Sequence, residues 1–82
     1  MRYEIDFLPV ALAQLRALPK DIRRLIGGKI DRLQDDIAGD VKKLKGFKNK
    51  YRLRAGNYRV LFELEANCLV AYDVGDRKDI YE

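Results

Sequence analysis

Four arginines and a tyrosine are the residues here best suited to chemistry. Arg52, Arg54 and Arg59 fall in the stretch "KNKYRLRAGNYRVLFELE", from Lys48 to Glu65, and Arg77 and Tyr81 in the tail "VGDRKDIYE". Guanidinium forks bind phosphate oxygens in pairs and stabilise charge that grows on phosphorus during transfer. A tyrosine beside them can stack on a base or handle a proton. Such a set could cleave RNA by driving a 2′-hydroxyl onto the adjacent phosphate. Arginine, always protonated in proteins, is a poor general base.

The rest of the sequence narrows the alternatives. It holds no histidine, which excludes His-based acid/base chemistry and most transition-metal sites. The single Cys68 excludes an intrachain disulfide and a cysteine-rich zinc cluster, and its apolar setting predicts a buried thiol. No P-loop, dinucleotide-binding turn or Ser-His-Asp set is present. Glu63 and Glu65 read as solvated surface rather than metal ligands. No cofactor is implied. No apolar run approaches the roughly 18 residues of a membrane span, and "MRYEIDFLPV" lacks a signal-peptide core. A cytoplasmic protein without membrane contact is expected.

Charge is strongly segregated along the chain. Residues 1–40 carry seven basic and seven acidic side chains, residues 41–62 eight basic and no acidic, and residues 63–82 two basic and six acidic. The basic block (Lys42, Lys43, Lys45, Lys48, Lys50, Arg52, Arg54, Arg59) is interleaved with Phe47, Tyr51, Tyr58 and Phe62. Basic residues mixed with aromatics suit a phosphate backbone with accessible bases. The lysines, joined by Lys78, are candidate RNA-docking residues.

These residues need a frame. The 82 residues, 48% apolar and 37% charged, make a single globular domain over 1–82. "RYEIDF" alternates as a half-buried strand. Pro9 opens a helix and Pro19 ends it. A second helix follows with Ile22, Leu25, Ile26, Ile30, Leu33 and Ile37 on one face; Gly27-Gly28 inside it suggests close approach of another backbone. Residues 38–49 read as a basic connector, followed by strands near 50–55, 58–64 and 68–75. Gly56-Asn57 pairs Ala55 with Tyr58, Leu53 with Val60 and Tyr51 with Phe62, which sets Arg54 against Arg59. An odd loop at Glu65-Ala66-Asn67 then matches Leu64 with Cys68, Phe62 with Val70 and Val60 with Tyr72, and brings Asp73 beside Arg59. The expected architecture is α+β, β-α-α-β-β-β, with a mostly antiparallel sheet and a helical hairpin on one face.

The chain resembles the RelE-like toxins of the RelE/ParE toxin–antitoxin superfamily over nearly its whole length. The resemblance lies in "YEIDF", "LPKDIRRLIGGKIDRL", "VGDRKDIY" and, most specifically, "KKLKGFKNKYRLRAGNYRVLFEL". It implies a metal-independent, ribosome-dependent endoribonuclease that cuts mRNA in the A site by 2′-OH transesterification and inhibits translation. It further implies a cognate RelB-like antitoxin, with operator DNA bound only through the toxin–antitoxin complex. By this likeness the family's catalytic residues fall on Arg52, Arg54, Arg59, Arg77 and Tyr81. The chain departs from the pattern in its Arg52/Arg54 pair, where some members have lysines, and at Asp76, where relatives commonly have a basic residue. Two further readings remain: a ParE-like toxin that poisons gyrase, and a catalytically degenerate toxin acting in a DNA-binding repressor complex.

Overall fold

The computed structural model describes residues 3–33 and 41–76. β1 (Glu4–Phe7) leads into α1 (Pro9–Arg16) and α2 (Lys20–Leu33). Pro9 occupies the first helical turn, where its missing N–H is no loss. Leu8 is extended and supplies no side-chain cap, so α1 starts on its proline and on the Leu12 N–H to Leu8 carbonyl bond. α1 stops at Arg16, two residues short of Leu18-Pro19. α2 carries Asp21 in its first turn and Arg32 in its last, each favourable to the helix dipole.

Both helices cover one face of a five-stranded sheet of order β1-β5-β4-β3-β2. β3 (Lys50–Ala55), β4 (Tyr58–Glu65) and β5 (Cys68–Asp76) form an antiparallel meander, and β1 runs parallel to β5. The core beneath the helices includes Ala11, Ile26, Ile30, Leu53, Val60, Phe62, Leu69 and Val74. Phe62, fully buried, stacks on Tyr51 across β3 and β4 with centroids 5.6 Å apart. Such a pair adds about 0.5–1.5 kcal/mol beyond its buried area.

The fold class is as expected, and several local readings are corrected. The connector contains a further strand, β2 (Val41–Lys43), antiparallel to β3 at the sheet edge. The β4–β5 turn is even: Glu65 pairs with Cys68 around Ala66-Asn67, with Ala66 at φ 53°. The inward residues of β5 are therefore Leu69, Ala71 and Val74, while Cys68, Val70 and Tyr72 leave the main core. Cys68 is half-buried rather than buried. Leu25, at helical spacing with the core residues, is 40% exposed. A Cβ on Gly27 or Gly28 would meet nothing within 4 Å, so neither glycine serves a close approach. Ile37 lies outside the described residues.

Candidate nucleic-acid interface

The β3–β4 hairpin builds the centre of the site. Gly56, at φ 61°, takes the left-handed conformation the tight turn demands. The register then follows as expected: Ala55 opposite Tyr58, Leu53 opposite Val60, and Arg54 opposite Arg59. Because side chains alternate, burying Leu53, Ala55, Val60 and Phe62 under the helices turns Arg52, Arg54 and Arg59 to the other face. Arg54 is exposed, and Arg52 and Arg59 are half-buried. The Nε of Arg52 is shut off from solvent.

Three rows cross this outer face from strand to strand. Lys42, Arg52, Leu61 and Asp73 form one; Arg54, Arg59 and Gly75 the next; Lys50, Glu63 and Val70 a third. Like charges thus meet twice, at Lys42/Arg52 and at Arg54/Arg59. Opposed like charges in a sheet are unfavourable, so local stability does not account for these pairs.

A small second apolar cluster lies on the same face. Leu44 and Leu61 are buried against each other, with Tyr72 packed alongside. The chain after β2 is tied down by the Leu44 N–H to the Lys50 carbonyl at 2.9 Å and the Leu64 N–H to the Asn49 carbonyl at 3.0 Å. Lys50 is held in place by its neighbours. Its ammonium lies 4.6 Å from the Phe47 ring centre and 5.3 Å from that of Tyr72, and 3.7 Å from Glu63 Oε1. Desolvation, followed by the charges of Glu63 and Asp73, raises the pKa of the Tyr72 phenol.

The candidate docking lysines separate by position. Lys42 shares the face and row of Arg52, whereas Lys43 lies opposite Tyr51, on the alternate side of β2. Lys42, Lys43, Lys45 and Lys48 are exposed. Lys42, Lys43, Leu44 and Lys45 border a surface cavity of about 290 Å³. Arg77, Lys78 and Tyr81 lie outside the described residues.

Asp73 does not lie directly across from Arg59. The β4–β5 ladder is irregular between Leu61 and Phe62, and beyond that point Arg59 faces Gly75. Asp73 Oδ1 instead accepts a bond from Gln14 Nε2 at 2.9 Å, while Gln14 Oε1 accepts the Val74 N–H at 2.8 Å. The sequence reading missed Gln14, Gly75 and the Leu44/Leu61/Tyr72 cluster. The one usable signal was that β5 is apolar on both faces, which leaves its inward side undetermined by alternation. Among the described residues, no group of three or more His, Cys, Asp or Glu is placed to hold a metal, and no helix is long and apolar enough to cross a membrane.

A helix-backed sheet with an arginine hairpin on the face away from the helices defines a class of small α+β domains, and comparison with known proteins narrows it. Residues 5–81 match the family model described as ParE toxin of type II toxin-antitoxin system, parDE. The chain is 35% identical over 84 residues to Toxin RelE3 of Methanocaldococcus jannaschii, covering 96% of both. It superposes with TM-score 0.80 on the RelB-RelE antitoxin-toxin complex from Methanococcus jannaschii, at 32% identity over 93% of this chain and 94% of that one. The archaeal RelE-RelB complex from Pyrococcus horikoshii gives TM-score 0.80 at 25% identity, covering 98% and 100%. The chain belongs to the RelE/ParE family of type II toxin–antitoxin toxins and is RelE-like.

Proposed function

We propose that this toxin is a ribosome-dependent endoribonuclease that cuts mRNA in the A site and so stops translation. The observation that carries the reading is the Arg54/Arg59 pair, in register on the sheet face away from the helices, with Arg52 one row along. The 2′-oxygen forms a bond to phosphorus as the bond to the 5′-oxygen breaks. The 2′-hydroxyl gives up its proton, the departing 5′-oxygen gains one, and a 2′,3′-cyclic phosphate is left. Arg59 and Arg54 stabilise the charge on the phosphoryl oxygens, with Arg77 and Tyr81 completing the set. Guanidiniums do not take the 2′-proton. Correct placement of the 2′-hydroxyl therefore comes largely from the ribosome, which orients the mRNA.

Partners follow from the same reading. A RelB-like antitoxin binds and silences the toxin; archaeal relatives are found in RelB-RelE and RelE-RelB complexes. Operator DNA is bound only through that complex. The deciding experiment maps mRNA 5′ ends in a translation extract with and without the protein. New ends within ribosome-covered codons support the reading; equal cutting of naked mRNA refutes its ribosome dependence.

The description of the matching family model as a ParE toxin favours one other reading, poisoning of DNA gyrase without cutting RNA. Gyrase-dependent DNA breaks with intact mRNA would establish it. The degenerate-toxin reading loses one of its supports, since Asp73 stands opposite Leu61 rather than Arg59 and accepts a bond from Gln14.

A further inference from the structure

Arg59 has two sheet neighbours on its own face, Arg54 on β3 and Gly75 on β5. Directly opposed residues in an antiparallel pair hold their Cβ atoms roughly 4.5–5.5 Å apart. Arg54 therefore stands on one flank of Arg59. On the other flank, glycine presents no Cβ at all.

The cause of this arrangement begins outside the site. From Glu65 to Phe62 the β4–β5 ladder is regular, and then Leu61 faces Asp73, so that Tyr72 is the extra residue of a bulge. An unbroken ladder would set Asp73 opposite the fully buried Val60 and Val74 opposite Arg59. The bulge instead seats Val74 in the core at 2% exposure and brings Gly75 to Arg59. Gln14 fixes it through its bonds to Asp73 and the Val74 N–H. Bulges beside sites re-aim side chains, and a glycine within a strand often marks close approach of a ligand or another backbone. Among the described residues the glycines of positive φ are Gly46 and Gly56, so Gly75 does not owe its place to a left-handed backbone.

We infer that Gly75 is a positioning residue for the RNA substrate: the bare β5 backbone beside Arg59 forms a notch in which one ribose-phosphate unit lies flush with the sheet, its phosphate on the Arg59 guanidinium. The inference rests on the endoribonuclease reading and specifies how that site seats its substrate. A side chain at 75 lifts the ribose away from the arginine. Misplacement by about 1 Å at a reacting centre slows a reaction by about 100-fold.

The test compares wild type, Gly75→Ala and Gly75→Val in thermal unfolding, single-turnover cleavage of ribosome-bound mRNA at saturating protein, and binding of a 2′-O-methyl trinucleotide to the free toxin. Alanine and valine suit a strand better than glycine, so unfolding midpoints at or above wild type are expected. Cleavage is expected to slow by about 100-fold with Ala and further with Val, and trinucleotide affinity to fall in the same order. Cleavage by both variants within about twofold of wild type, with unchanged trinucleotide affinity, overturns the inference and leaves the endoribonuclease reading intact. A wild type that cuts no ribosome-bound mRNA overturns that reading instead. Trinucleotide affinity then decides the notch alone, retained affinity in the variants refuting it. Should the valine variant not fold, the alanine variant carries each comparison.

Discussion

Replacing Arg54 by glutamine keeps much of the side-chain stem and deletes one charge from the Arg54/Arg59 pair. Two unit charges about 7 Å apart repel by about 0.6 kcal/mol at the dielectric of water and by about 2.4 kcal/mol at an effective value near 20. Arg54 is exposed, which places the pair toward the watery limit, within the range of about 0.2–1 kcal/mol measured for opposed cross-strand pairs. Arg54→Gln should therefore stabilise the free toxin by that amount. For a domain of this size the midpoint should rise by roughly 1–6 °C. The gain should shrink at about 1 M salt, where the screening length falls to about 3 Å. The assay is thermal unfolding at low and high salt, beside cleavage of ribosome-bound mRNA. Cleavage should collapse, because the phosphate loses one of the two facing guanidinium forks that clamp it. A lowered midpoint with full activity would show Arg54 to be a structural residue and would refute the reasoning. A gain indifferent to salt would show that charge was not its cause.

Gly27→Ala and Gly28→Ala meet no steric obstacle and should each stabilise by about 0.4–1 kcal/mol, read by denaturant unfolding. Gln14→Ala strips a bond from the part-buried Val74 N–H and should destabilise by about 1–3 kcal/mol, with the amide proton of Val74 losing exchange protection. Lys42→Ala should weaken ribosome binding and flatten its salt dependence more than Lys43→Ala, since Lys42 alone of the two shares the arginine face. Desolvation, then Asp6, Glu4 and Glu65, raises the pKa of the Cys68 thiol in the folded chain. As pH climbs past the ordinary thiol value of 9.0, the unfolded chain loses its proton first and stability falls. Cys68→Ser should remove that part of the alkaline decline in unfolding curves.

The hairpin was legible because one turn governs it: Gly56-Asn57 fixes the loop length, and every pairing from Ala55/Tyr58 outward follows. β5 resisted the same treatment. Cys68, Val70 and Tyr72 are as apolar as Leu69, Ala71 and Val74, so alternation cannot choose a face. The inserted Tyr72 then changes the phase midway. The misplacement of Asp73 came directly from that choice. β2 was missed because Val41-Lys42-Lys43 is too short for a period and too charged for a strand signal; it is recruited by the open edge of β3. Leu25 shows a limit of helical spacing, since a residue can keep the period and still look outward. The arginines were visible by type and spacing. The contact that sets what stands beside Arg59 begins at Gln14 on α1, some 60 residues away in the chain, and no local pattern records it.

The parallel pairing of β1 with β5 has a consequence for the toxin's own synthesis. Glu4 N–H donates to the Asn67 carbonyl and Leu8 N–H to that of Ala71, so β1 finds its sheet partner in a segment made long after it. Pairings between distant segments close late. A nascent chain ending before Leu69 has β1 without a ladder and Phe62 without its β5 neighbour Ala71. The β3–β4 hairpin cannot pair with β5 until β5 has cleared the exit tunnel. Until then the arginine hairpin stands without the β5 strand that brings Gly75 to Arg59.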